Sequence, residues 1–303
     1  MSKKVLAVYF TQSGQQEDII KNFTTPLQSD TGITVETLRI FPSKKFPFPW
    51  TTPVFFDAMP ETVNSVPFEL EPFELKEKQY DLIILGYQPW FLSPSIPINS
   101  LLQHPGFIPV LKNTPVVTIS GCRNMWINAQ EKLKVRFKDA GARLVGNIAL
   151  VDRHNNYVSL VTILYWMLTG KKDRKWGIFP KPGVSDEDIT NSAIFGETVK
   201  EHLNTGEWGG LQDRLLEQKA LEVKYHLMFI ERKAGKIFKI WAGIINRKKS
   251  NRRFWVTAFK YYLLIALCVA APIILTVDAI FFKPFLGGRI KKQKAYYAGV
   301  DLK

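Results

Sequence analysis

The chain has 303 residues, 46% of them hydrophobic, enough to bury the core of one large domain or two smaller ones. Its net charge of +14 is uneven: residues 231–303 hold 16 Lys and Arg against Glu231, Asp278 and Asp301, so the rest is near neutral. Basic sequence beside apolar sequence points to anionic membrane lipid and away from nucleic acid. Two cysteines and four scattered histidines exclude a disulfide framework and a metal-ligand cluster.

Val5 to Phe10 is a short β-rich apolar run, as expected of a strand buried on both faces of a parallel sheet. It follows Met-Ser-Lys-Lys without the apolar run and cleavage site of a signal peptide, so a cytoplasmic N-terminal domain is expected. Thr11-Gln12-Ser13-Gly14 is turn chemistry, and the pattern after it predicts a helix with Ile19, Ile20 and Phe23 on one side. Thr34 to Ile40 reads as a second strand. Residues 41–76 alternate prolines with Phe46, Phe48, Trp50, Phe55, Phe56, Phe68 and Phe73. Prolines at that density break regular elements, while the aromatics supply surface to bury. The insertion is therefore either a lid over an apolar substrate or an ordered crossover packed on the sheet.

Asp81–Gly86 predicts a third strand, Val116–Ser120 a fourth and Ala142–Val151 a fifth, with a helix from about Asn124 to Ala140. Residues 157–170 and 187–230 read as mainly helical. Strands alternating with helices imply an α/β, doubly wound parallel sheet, which binds ligands outside the carboxyl ends of its strands.

Residues 227–245 form a basic amphipathic pattern, with Ile230, Ile237, Trp241 and Ile244 among Arg232, Lys233, Lys236 and Lys239. Such a helix lies in a membrane interface or packs on its own domain. After a basic patch at 247–253, Tyr261 to Val277 carries no charge, and 22 residues separate Lys260 from Lys283. That length just spans a bilayer. Asp278 and two basic flanks count against a plain span, and Pro272 could fold the segment into a re-entrant hairpin. A buried soluble helix is the third alternative.

Three loops carry the candidate chemistry. Phe10-Thr11-Gln12-Ser13-Gly14-Gln15-Gln16 joins the first strand to the first helix, where a phosphate would meet free N–H groups and the positive helix end. Thr11 and Ser13 add hydroxyls, and Gly14 permits close approach. The loop resembles the flavodoxin phosphate loop, Thr/Ser-x-Thr/Ser-Gly-x-Thr/Ser, with Gln16 in place of the last hydroxyl residue. It has no lysine, unlike a triphosphate P-loop. Gly86-Tyr87-Gln88-Pro89-Trp90-Phe91-Leu92-Ser93-Pro94 follows the third strand, and Ser120-Gly121-Cys122-Arg123-Asn124-Met125-Trp126 follows the fourth. In flavodoxin-like flavoproteins the former wraps the isoalloxazine ring, with an aromatic such as Trp90 or Phe91 stacked on it. The latter faces its polar edge.

The resemblance implies the sheet order 2-1-3-4-5, FMN as cofactor, and a binding set of Thr11, Gln12, Ser13, Gly14, Gln15, Gln16, Pro89, Trp90, Phe91, Leu92, Gly121, Cys122, Arg123 and Asn124. Cys122 is a small hydrophobe or a redox thiol. His154, just past the fifth strand, is a surface histidine or a proton acceptor.

The VYFTQSGQ opening, the Pro/Phe-rich insertion, the GYQPWFLSPSIP and SGCRNMW loops and the basic apolar C-terminus together resemble the flavodoxin-like proteins of bacterial dialkylresorcinol biosynthesis, called dialkylresorcinol condensing enzymes. The resemblance implies aromatisation of a cyclohexanedione made by a partner ketosynthase-like enzyme. It does not imply condensation, since no thiolase-type Cys-His-His or Cys-His-Asn set is present. The catalytic candidates are Arg123, to hold an enolate, and His154, as base. The expected arrangement is a flavodoxin-like domain over residues 1–205, a basic helical segment 206–260, a membrane segment 261–282 and a basic tail 283–303. A lipophilic substrate, the cytoplasmic face of the inner membrane and an optional homodimer complete it. A membrane-tethered quinone reductase or electron-transfer flavodoxin, and a cofactor-free scaffold, are the alternatives.

Overall fold

The computed structural model describes residues 2–302. Five strands, β1 (Lys3–Tyr9), β2 (Ile33–Arg39), β3 (Leu82–Tyr87), β4 (Pro115–Cys122) and β5 (Arg143–Val151), form one parallel sheet in the order β2-β1-β3-β4-β5. This is the flavodoxin-like order, as expected. The main helices are α1 (Gln15–Gln28), α2 (Ile127–Ala140), α3 (Asn156–Thr169), α4 (Asp186–Thr205), α5 (Tyr225–Arg247), a long α6 (Arg252–Phe285) and α7 (Gly287–Ala298).

Alternation along β1 explains the two layers. Val5, Ala7 and Tyr9 face a core with Ile19, Phe23 and Leu27 of α1 and Val199 of α4. Leu6, Val8 and Phe10 face a second core with Leu133 and Phe137 of α2. Each fully buried Val, Leu or Ile contributes roughly 1.5–3 kcal/mol. On the first face α1 and α4 pack so closely that a Cβ at Gly196 would run into the Phe23 carbonyl oxygen.

The register brings the strand ends together. Tyr9 pairs with Gly86, Gly86 with Ile119 and Ser120 with Ala149. The loops after β1, β3 and β4 therefore emerge side by side. Helix α2 starts at Ile127, three residues later than the sequence predicts, leaving the segment after Cys122 as loop.

The insertion at 41–76 is an ordered crossover carrying two short helices, Thr52–Asp57 and Met59–Val63. Met59 and Val63 pack against Phe238, Ala242 and Ile245 of α5 and Val256 and Phe259 of α6. Arg252, at the start of α6, donates to Asp57 Oδ1 at 2.7 Å and to both Glu61 carboxylate oxygens at 2.8 and 2.9 Å.

Helices α5 and α6 run antiparallel, with Asp278 near the far end of α6 buried against the Tyr225 hydroxyl at the start of α5. No hairpin forms at Pro272. A π-helical turn, Ala266–Ala270, precedes it and accommodates the missing proline N–H within one continuous helix. The chain then returns to the sheet. The Tyr296 hydroxyl lies 2.9 Å from a Glu131 carboxylate oxygen, Gln212 Nε2 donates to the Ala298 carbonyl at 2.8 Å, and Val300 and Leu302 pack on the Leu6 face.

One buried contact ties α5 to the sheet-end loops. Helix α2 has no side-chain cap of its own, and Glu231 of α5 supplies one. Asn128 N–H donates to Glu231 Oε1 at 2.7 Å, and Asn128 Nδ2 donates to the Glu231 carbonyl at 2.6 Å. Burial outweighs these bonds and pushes the carboxyl up from 4.5 to about 7. The folded chain thus binds a proton more tightly than the unfolded chain, and this group's contribution to stability falls as pH rises from 4.5 to about 7. Glu231→Gln keeps an oxygen for Asn128 and cannot ionise. Urea unfolding of both proteins across that range should give a stability difference that grows in favour of Gln with pH. Parallel curves would show that the carboxyl does not titrate in this way.

Candidate active site at the carboxyl end of the sheet

The loop after β1 turns at Gly14, whose φ of +90° favours glycine. Gly14 N–H donates to Thr11 Oγ1 at 3.0 Å, and Gln12 N–H donates to Gln88 Oε1 at 3.0 Å. Gln12 Nε2 reaches the Phe46 and Pro47 carbonyls at 3.2 and 2.9 Å, fastening the insertion to the loop. No side chain caps α1, and the space beside the Gly14 Cα is open. An anion fits such an uncapped helix start. In the first turn of α1, Glu17 is neutralised by Arg39 at 2.9 Å.

Gln15 and Gln16 turn inward. Gln16 is fully buried, its amide donating to the Ile119 carbonyl at 3.0 Å and accepting from Gly121 N–H at 2.8 Å. The expected phosphate donor is thus a clamp between the first and third loops. Gln15 Oε1 accepts from Val184 N–H at 2.9 Å. Gly183, with φ of +83°, has room for no Cβ beside Gln15 and Trp166.

The loop after β3 is a tight hairpin, Pro89–Trp90 paired with Ser93–Pro94. Its central residues, Phe91 and Leu92, have φ of +46° and +60°. Glycine or asparagine normally takes these positions, and bulky residues there are strained. Packing opposes the strain: the Phe91 ring lies 4.7 Å from Phe55 and 6.3 Å from Phe259. Trp90 sits in an aromatic cluster, edge-on to Phe10, Phe46 and Trp50 at 5.1–5.7 Å.

In the loop after β4, Arg123 donates to the Asn156 carbonyl at 3.2 Å, and Asn124 Nδ2 to Asn156 Oδ1 at 2.7 Å. Burial lowers the Arg123 pKa, against the pull of Asp152. Burial also pushes the Cys122 thiol up to about 12, which suppresses thiolate chemistry at neutral pH.

These loops open into one cavity of about 400 Å³. Gln12, Ser13 and Gln15 line it from the first loop, Pro89 to Leu92 from the second, and Gly121 to Asn124 from the third. Thr11, Gly14 and Gln16 are not part of that lining. His154 is absent from it because its Nδ1 turns to Asp152 Oδ1 at 2.7 Å. The structure therefore brings Arg123 to the cavity and leaves the expected base outside it.

Of the remaining walls, the insertion was expected as one alternative, a lid over an apolar substrate, and α3, α5 and α6 were not placed at the site. These walls come from Trp50, Phe55 and Phe56 of the insertion, Leu160 and Trp166 of α3, Ile230, Lys233 and Ile237 of α5, and Leu263, Leu267, Ala271 and Ile274 of α6. Among the described residues that line the cavity there is no carboxylate and no imidazole, and the two cations are Arg123 and Lys233. A half-open, largely apolar space with positive charge and no negative charge suits an anion carried on a lipophilic body. The Pro182-Gly183 pair was a visible turn signal, and the amphipathic pattern of 227–245 marked an apolar face on α5 without saying what it covers.

No family model matches the chain, and no curated protein matches it. Among solved structures, a flavoprotein from Lactobacillus acidophilus in complex with FMN is 17% identical over 49% of this chain and 93% of its own, with a TM-score of 0.39. A flavodoxin from the domain Archaea is 10% identical over 66% of this chain and 99% of its own, with a TM-score of 0.37. The azoreductase AzrA is 11% identical over 63% of this chain and 99% of its own, with a TM-score of 0.33.

Proposed function

We propose that the chain is an FMN-dependent oxidoreductase that dehydrogenates a long-chain cyclohexanedione to a dialkylresorcinol at a membrane surface. The observation that carries this reading is the single cavity. One end is made of the three sheet-end loops, and the other of the apolar faces of α5 and α6. A polar reacting head and lipophilic chains are accommodated in one space. The ring is supplied by a partner ketosynthase-like enzyme, and its aromatisation removes two hydrogens.

The uncapped start of α1, with Thr11 and Ser13 beside it, is the place for the FMN phosphate. Bound FMN supplies the acceptor for a hydride. The chain's own residues do the rest. A 1,3-dione is acidic enough to ionise without a strong base, which matches a cavity lined by no carboxylate and no imidazole. Arg123 holds an enolate oxygen, and its charge favours the ionised ring. The aromatic walls exclude water from it. Arg123 is itself held in place by the Asn156 carbonyl.

Two measurements test this. Protein purified in detergent should take up FMN and show the visible flavin absorption. Ser13→Glu, which sets a carboxylate against the phosphate, should weaken FMN binding by about tenfold or more, on the order of 1.4 kcal/mol. A colourless protein that refuses FMN would overturn the redox reading. In turnover of an alkylated cyclohexanedione, Arg123→Ala should lower kcat/KM by roughly 10²-fold. His154→Ala, outside the cavity, should leave the rate unchanged. The reverse pattern would return the base role to His154 and remove the enolate site.

A further inference from the structure

The face of α6 that turns away from the cavity has no partner among the described residues. Ile265, Ile273 and Ile280 are 59–61% exposed, and Phe285 is 84% exposed. With Thr257, Tyr261, Cys268 and Thr276 they recur every three to five residues, the five-residue steps falling at the π-helical turns, one continuous stripe along the helix. The opposite stripe carries buried Val256 and Phe259, the cavity-lining Leu263, Leu267 and Ala271, and buried Asp278. A helix apolar all round belongs in a core or in lipid. This helix gives one side to the protein and leaves the other bare.

Its two ends exclude a crossing. The apolar stretch 261–282 matches the hydrocarbon core of a bilayer, about 30 Å thick, so length alone permits a span. Both ends are, however, held on the same body. Arg252 is clamped by Asp57 and Glu61 of the insertion, and α7 returns to bond Glu131 of α2. Where the end of α6 meets the start of α5, a cleft of about 300 Å³ is lined by Arg232, Lys233, Lys236 and Arg289 over Tyr225 and Phe229. Four cations in a cleft that also holds aromatic rings, with Lys233 Nζ 4.7 Å from the Phe229 ring centre, suit a phosphate headgroup at the depth where apolar and polar layers meet.

We propose that α6 is an in-plane membrane helix: its outward stripe lies among the acyl chains of one leaflet of an anionic bilayer, while its inward stripe remains the wall of the cavity. The cleft between α5 and α7 receives an anionic headgroup beside it. The docking stands without any redox chemistry. The passage of a lipophilic ring past α6 into the cavity rests on the function proposed above.

Cys268, midway along the outward stripe, is a native reporter, since Cys122 is held in an unreactive state. The full chain is labelled at Cys268 with a polarity-sensitive fluorophore. Thr257→Cys and Ile280→Cys, each in a Cys268→Ser chain, place the same label toward either end. Vesicles of phosphatidylethanolamine with phosphatidylglycerol, or of phosphatidylcholine alone, carry nitroxide lipids at set depths.

On the anionic vesicles all three labels should be quenched at one shallow depth. Arg289→Gln should cut partitioning to them by roughly fivefold and leave the weaker phosphatidylcholine binding unaltered. A depth that changes steadily from 257 to 280 would mean a span, and a deep 268 between shallow ends a hairpin. A vesicle-free dimer that shields all three labels would mean a second copy on this face. Partitioning indifferent to lipid charge would remove the anionic partner. Each of these outcomes overturns the proposal. Flavin absorption recorded on the same samples separates the two ideas: docking without flavin uptake sinks only the redox function, and flavin uptake without docking sinks only the membrane placement.

Discussion

Burial of Met59 and Val63 against Phe238, Ala242, Ile245, Val256 and Phe259 holds the C-terminal helices over the ends of the sheet. A parallel sheet with helices on both faces already satisfies its own core, and its carboxyl edge would otherwise be an open rim. The apolar joint turns that rim into a half-open cavity. The Arg252 clamp on Asp57 and Glu61 fixes the angle of the joint with charge at its solvent edge. The Glu231 cap fixes its other end on α2. An apolar contact supplies the driving force, and two polar contacts supply the geometry.

The hairpin tip beside the joint illustrates how strain is tolerated. Phe91 and Leu92 sit in left-handed backbone that costs on the order of 1–3 kcal/mol per residue. Both side chains line the cavity and pack on the joint between the insertion and the C-terminal helices. A glycine pair would relax the turn and lose those contacts. The strain is therefore tied to the same joint that closes the cavity.

Much of the sheet was legible in the sequence. The runs at 5–10, 81–86 and 116–120 are mostly apolar and lie between turn signals, and strands lie there within one or two residues. The phosphate-loop position followed from Thr11, Ser13 and Gly14 between strand and helix. Gln16 shows where local pattern stops informing: its amide could donate outward or inward, and burial under β4 decided for inward. His154 was placed on the right rim, but its ring orientation depends on Asp152, a contact no periodicity reveals. The cavity walls from residues 230–274 were illegible because they arise from packing between segments some 200 residues apart. The uncharged run at 261–277 gave apolarity without saying which side met protein.

The return of α7 to the sheet bears on how the chain is made. During synthesis α6 leaves the ribosome before residues 296–302, which lock it to Glu131, Gln212 and the Leu6 face. In that interval it has the length and composition that insertion machinery accepts as a transmembrane segment. Insertion then would strand α7 across the bilayer, where it cannot reach the sheet. The folded arrangement requires that α6 escape that route. Asp278, costly in lipid, disfavours insertion, and basic residues on both flanks leave no single orientation.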